Sequence, residues 1–99
     1  MMGLNEKEYQ YAQDLSQNIN ENLKEALIYG DAKSEQAQKV CQMHQEWIQL
    51  YWPDYTKEAH FSLVQGYVED PRFKKYYDSI APGAAEFLLE AMKEFLKGQ

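Results

Sequence analysis

Residues 44–80 read HQEWIQLYWPDYTKEAHFSLVQGYVEDPRFKKYYDSI. The stretch holds Trp47, Tyr51, Trp52, Tyr55, Phe61, Tyr67, Phe73, Tyr76 and Tyr77, most of the chain's aromatic side chains, together with its two histidines, His44 and His60. Pro53 and the Asp70-Pro71 pair cut it into helix-sized pieces. Within each piece the apolar residues recur at steps of three and four, which predicts helix. An aromatic side chain buries roughly 150–250 Å². A few of them close the core of a 99-residue chain, so this density asks for a second role. The expectation is that some of the rings line a cavity for a bulky, apolar ligand, held open by a helical frame.

Working outward, the frame is punctuated by caps. Asn5 is placed to accept from the free amides of a first turn, with Glu8 at the third helical position of a capping box. Ala12, Leu15, Ile19, Leu23, Ala26 and Leu27 form the inward stripe of this helix, and Gly30 ends it in the left-handed region. Ser34 caps a second helix from Glu35 to about Trp52, with Val40, Cys41, His44, Trp47, Ile48 and Tyr51 inward. Pro53 disfavours helical geometry at Trp52 and closes it. Thr56 caps a third, Lys57 to Glu69, with His60, Leu63, Val64, Tyr67 and Val68 on one face. Gly66 inside it costs about 1 kcal/mol relative to Ala, and such a glycine is either a tolerated surface residue or a point of close approach. Asp70-Pro71 opens a short helix to about Asp78, acidic cap followed by Pro at the first helical position, with Phe73, Tyr76 and Tyr77 inward. The last helix is expected from Pro82 to about Lys97, carrying Phe87, Leu88, Ala91, Met92, Phe95 and Leu96, and fraying at Lys97-Gly98-Gln99. The reading is one domain over residues 1–99, all-α, with helices near 5–29, 35–52, 57–69, 71–78 and 82–97. Short connections favour a compact antiparallel or globin-like packing.

Composition narrows the function. The formal charge of −6 repels phosphate backbones and anionic bilayers. Lys24, Glu25, Glu35, Glu46, Glu58 and Lys93 fall on outer faces and read as solvated surface. No apolar run approaches the ~18 residues of a spanning helix, and the MMGLNEKEY start is no signal peptide. The lone Cys41 makes no intrachain disulfide, so the chain reads as cytoplasmic.

Catalytic chemistry finds little support. Ser62 stands two residues from His60, on a different helix face, and no glycine-flanked serine offers a nucleophile. Cys41 and His44 lie three apart on one helix, with His60 as a conceivable third ligand, but neither paired Cys-x-x-Cys nor His-Glu-x-x-His spacing is present. Cys41 reads instead as a small buried hydrophobe. Haem held by the two histidines would need more chain to enclose it, and no attachment motif is present. The expectation is no catalytic residue, no metal and no cofactor. A histidine on an apolar stripe is commonly a satisfied core residue. The aromatic excess around His44 and His60 favours the other reading, polar handles in an apolar pocket.

The run His44-Gln-Glu-Trp47-Ile48, then Tyr51-Trp52, His60, Gly66-Tyr67-Val68-Glu69-Asp70-Pro71-Arg72-Phe73 and Ala81-Pro82-Gly83-Ala84-Ala85-Glu86-Phe87 resembles the TipAS domain. That is the antibiotic-recognition domain at the C-terminus of certain MerR-type regulators. The Gly30-Asp31 turn before Ser34-Glu35 also fits, and the resemblance runs from about Leu4 to Leu96. It implies a globin-like all-α fold without haem, binding thiopeptides and other large, apolar, peptide-like antibiotics in a cleft between helices. The matching pocket positions here are His44, Trp47, Tyr51, His60, Leu63 and Tyr67. Thiopeptide-binding members can carry a cysteine two residues after the second motif histidine, where this chain has Ser62. A hydroxyl is a far weaker nucleophile than a thiolate, so covalent capture there is not expected. Longer members carry an N-terminal segment that orders over the ligand, and the expectation is that this chain begins after it.

The function read from the sequence is therefore a non-enzymatic effector-binding domain. It would serve a MerR-family regulator that meets DNA through a helix-turn-helix absent from this chain, or act as a free-standing drug-sequestering binder. The alternative is a protein–protein interaction module, or a homodimer, using the same aromatic surface.

Overall fold

The computed structural model describes residues 5–97. The readings placed on the first four residues and on Gly98-Gln99 lie outside them. Five helices follow one another: α1 Glu6–Tyr29, α2 Glu35–Tyr51, α3 Lys57–Glu69, α4 Pro71–Ile80 and α5 Ala84–Lys97, with no strand among the described residues. The fold is all-α.

Local chemistry sets most boundaries. Asn5 Oδ1 accepts from the Glu8 amide at 2.8 Å, and Glu8 Oε1 accepts from the Asn5 amide at 3.1 Å, a complete capping box. Gly30 takes φ 87° and donates its N–H to Ala26 O at 2.8 Å, closing α1. Ser34 Oγ and Thr56 Oγ1 each accept a first-turn amide at 3.1 Å, from Ala37 and Ala59. Asp70 Oδ1 accepts from the Arg72 amide at 2.9 Å, with Pro71 at the first helical position of α4.

The start of α1 and the end of α2 fall one residue inside expectation, and two boundaries differ by two residues. α4 continues to Ile80, because Pro82 bars helical geometry only from Ala81 onward, and Ala81 is extended at φ −162°. α5 begins at Ala84, not Pro82, because Gly83 takes φ 84°. A left-handed residue cannot lie inside a right-handed helix. Gly83 instead ends the turn, and its carbonyl accepts from Phe87 N at 3.0 Å.

α1 packs most extensively on α2, α3 packs on α4, and α5 touches all four other helices. The core is a continuous cluster around Leu23, Val40, Val64, Leu88 and Met92, each at most 1 % exposed. Burying a side chain of that size contributes about 1.5–3 kcal/mol. Cys41 sits among them, fully buried. The expected inward stripes are only partly buried. Phe73 is 44 % exposed, Tyr76 49 % and Tyr51 44 %, whereas Tyr77 is buried. Successive helical residues are rotated by about 100°, so Tyr76 cannot share the core-facing direction of Tyr77. No helix among the described residues is long and apolar enough to cross a membrane.

Candidate functional site

The helices part along one side. α1 and α2 form one wall, α3 and α4 the other, and the opening between them holds two adjoining cavities. The larger, about 350 Å³, is lined by Ser16, Ile19 and Asn20 of α1, His44 and Trp47 of α2, Tyr67 of α3, and Arg72, Phe73, Tyr76 and Tyr77 of α4. The smaller, about 280 Å³, is lined by Trp47, Ile48, Tyr51, Trp52, Leu63, Tyr67 and Phe73. Trp47, Tyr67 and Phe73 belong to both, so they form the partition.

The rings touch in an unbroken series. Trp47 lies 5.1 Å from Tyr51 and 5.9 Å from His44, centroid to centroid. His44 meets Tyr67 edge-on at 5.8 Å, and Tyr67 meets Tyr77 at 4.7 Å and Phe73 at 5.3 Å. Tyr77 meets Tyr76 edge-on at 5.0 Å. Such a wall offers π-faces and edges to a flat or apolar guest. Polar groups stand around it: Ser16, Asn20 and Arg72. Asn20 Nδ2 donates to Tyr76 Oη at 3.0 Å, spanning the mouth from α1 to α4. Arg72 lies at the edge, paired with Asp70 Oδ2 at 2.9 Å.

Beneath the cleft lies a line of buried polar atoms. His44 Nδ1 and His60 Nε2 are 2.8 Å apart, His60 Nδ1 and Tyr55 Oη 2.6 Å, and His44 Nε2 and Tyr67 Oη 3.5 Å. Burial holds the His44 imidazole down to about 3, with help from the neighbouring His60, and holds His60 down to about 4. Both rings are therefore neutral at pH 7. Burial raises the Tyr55, Tyr67 and Tyr77 hydroxyls and pushes the Cys41 thiol up to about 12. The thiolate needed for nucleophilic or metal chemistry is thus disfavoured. No group of three or more His, Cys, Asp or Glu able to hold a metal occurs among the described residues. Ser62 is exposed, and the partners of His60 are Tyr55 and His44.

The six positions singled out from the sequence are distributed unequally. His44, Trp47 and Tyr67 line the larger cavity, and Trp47, Tyr51, Leu63 and Tyr67 the smaller. His60 lines neither: it is 0 % exposed and sits behind His44. Sequence reasoning missed the α1 contribution, Ser16, Ile19 and Asn20, and that of α4. On α1 nothing in the spacing marks these residues, since Ser16 and Asn20 border the apolar stripe as solvent-facing residues do. On α4 Phe73, Tyr76 and Tyr77 belong to the aromatic stretch expected to surround a cavity, but they are not among the six positions singled out.

Fold and site together define a small all-α domain whose helices enclose an aromatic-walled cleft. The chain belongs to the TipAS antibiotic-recognition domain family, whose family model matches residues 1–95. Among curated proteins it is similar to the HTH-type transcriptional regulator SkgA of Caulobacter vibrioides, in strain NA1000 / CB15N and in strain ATCC 19089 / CIP 103742 / CB 15. In each case 29% of 101 residues are identical, over 100% of this chain and 40% of the relative. The chain thus spans well under half the length of these relatives. No solved structure matches.

Proposed function

We infer that this domain is the effector-binding part of a transcriptional regulator and that its effector is a bulky, largely apolar, antibiotic-like molecule. The observation that carries the reading is the pair of adjoining cavities partitioned by Trp47, Tyr67 and Phe73, with the opening left between α1–α2 and α3–α4. What sets this opening apart is its lining: a groove elsewhere on the surface is walled mainly by Asn, Gln, Glu and Lys, whereas this one is walled by rings, which suits an apolar guest. The family supports a recognition role, and the SkgA relatives support a regulator as the parent protein. On this reading the domain is not an enzyme. Binding rests on stacking and apolar burial, and DNA is met through a separate helix-turn-helix domain of a MerR-type chain. A free-standing binder that sequesters the drug would use the same cleft.

Titration with thiopeptides and other hydrophobic antibiotics, followed by the fluorescence of Trp47 and Trp52, tests the reading. Saturable quenching or enhancement is expected, weakened at least tenfold in Trp47→Ala, because loss of one buried aromatic anchor costs about 2 kcal/mol or more. Absence of any response in the native chain, or an unchanged affinity in the variant, overturns it. The interaction-module reading is separated by mass in solution: covering of the cleft by a second copy would make the apparent mass rise with concentration.

A further inference from the structure

Two buried imidazoles bonded to each other constrain each other's protons. His44 is 1 % and His60 0 % exposed, and the hydrogen-bond partners found for them are each other and two tyrosine hydroxyls, not carboxylates. A buried imidazole without a counter-ion stays neutral. A neutral ring carries one N–H, so one nitrogen donates and the other accepts. His60 uses Nδ1 toward Tyr55 and Nε2 toward His44, and His44 uses Nδ1 toward His60 and Nε2 toward Tyr67. With one proton per ring, each link fixes the next. Either Tyr55 donates to His60, His60 to His44 and His44 toward Tyr67, or every direction is reversed. Any mixture leaves the 2.8 Å gap between the rings with two protons or none.

Geometry chooses between the two. In either direction one phenol donates to an imidazole and one imidazole donates to a phenol. The phenol, with a pKa of about 10, is the stronger donor, so it belongs at the shorter end, 2.6 Å at Tyr55 against 3.5 Å at Tyr67. The 2.6 Å separation between Tyr55 Oη and His60 Nδ1 is that of a short, strong bond. Tyr55 is half-buried, so its oxygen can accept from water while its proton points inward.

We propose that the Tyr55–His60–His44 line sets the polarity of the cleft: it holds both histidines with the proton on Nε2, so that the His44–Tyr67 end presents a donor to the occupant. His44 Nε2–H faces the Tyr67 oxygen at a loose 3.5 Å. Tyr67, released from donating to His44, keeps its own proton for a neighbour or a guest. Both residues line the larger cavity. The ligand class that follows has an aromatic or apolar body bearing a hydrogen-bond acceptor, a carbonyl oxygen or ring nitrogen, at the point that meets this pair. Tyr55 lines neither cavity. It is a positioning residue, acting through two rings. The ligand selectivity rests on the binding role inferred above, whereas the tautomers do not.

The ring tautomers are read directly from long-range ¹H–¹⁵N correlation spectra of the ¹⁵N-labelled chain at pH 7. Both histidines are expected as Nε2–H forms, and Tyr55→Phe is expected to leave them as mixed tautomers. An Nδ1–H form in the native chain, or an unchanged pattern in the variant, overturns the relay. Selectivity is read with three flat bicyclic aromatic probes: quinoline, an acceptor; the slightly smaller indole, a donor; and naphthalene, neither. By amide-shift titration quinoline is expected to bind about fivefold tighter than indole, the worth of one net hydrogen bond, and Tyr55→Phe to bring the ratio toward one. Equal or tighter binding of indole overturns the selectivity. Failure of all three probes, with the tautomers as expected, removes the selectivity and counts against the cleft as a ligand site, leaving the relay in place. Reversed tautomers with quinoline bound sink the relay and leave the cleft.

Discussion

His44 Nδ1 stands 2.8 Å from His60 Nε2, a bond from α2 to α3 between two rings that solvent does not reach. Both helices lean on α5. The imidazole pair ties them together beneath the cleft, and two of the three side chains that form the partition, Trp47 and Tyr67, are carried by these same two helices. The polar brace and the apolar opening are thus two faces of one seam.

Stability should fall in mild acid, before the carboxylates titrate. In the folded chain the two imidazoles are held at about 3 and about 4, against 6.5 when unfolded. Between those values the unfolded chain binds the extra protons, so stability is complete above about pH 6.5 and is lost as pH falls toward 4 and 3. The limiting slope is about 1.4 kcal/mol per pH unit for each imidazole. Urea midpoints measured from pH 7.5 down to 5 check this. A midpoint that stays flat across that range would contradict neutral burial.

Breaking the brace should be costly even though no charge is lost. His60→Leu leaves His44 Nδ1 and the Tyr55 hydroxyl without their partner. An orphaned buried polar atom costs about 1–3 kcal/mol, so a loss of about 2–3 kcal/mol is expected by chemical denaturation. A change of only a few tenths would show that water enters and replaces the ring.

Two glycines should respond to alanine with opposite sign. At Gly66 an added Cβ would meet no atom within 4 Å, so the close-approach reading finds no protein neighbour, and the residue lies within α3. Gly66→Ala should stabilise by about 0.5–1 kcal/mol, through helix propensity and a less disordered unfolded chain. Gly83 is equally uncrowded but sits at φ 84°. There Ala is strained by backbone geometry alone, and a loss of about 1 kcal/mol is expected. Thermal midpoints of the two variants, compared side by side, separate space from conformation.

Cys41 should be inert until the domain opens. It is 0 % exposed and burial pushes its thiol up to about 12. A disulfide reagent at pH 8 should label it at the rate of opening, independent of reagent concentration when the reagent is abundant, and within seconds once urea is added. Fast second-order labelling of the native chain would place the thiol at the surface.

The helix starts were legible because caps are local chemistry. Asn5 with Glu8, Ser34, Thr56 and Asp70-Pro71 each announce a first turn within four residues of sequence. Pro82 misled for the same reason. It looks like a first helical position, and only the left-handed conformation of Gly83 moves the start to Ala84. Spacing puts Trp47 with Tyr51 on one helix face and Leu63 with Tyr67 on another, but only the TipAS resemblance joins the two faces into one expected pocket. That His44 and His60 meet was not legible, since residues on different helices share no period. Nor was the role of Asn20, a polar residue whose partner Tyr76 stands across the mouth. The pairing of α1 with α4 is information that only the assembled molecule holds.

The helix that backs every other one is α5, the last of the five to be synthesised. Until Leu88 and Met92 emerge, Val40, Val64 and Leu23 have no common floor to close against. Nascent chains gain native structure as whole cooperative units, so the earlier helices must wait for α5. A chain cut before Ala84 would lack Leu88 and Met92 and so have no closed interior.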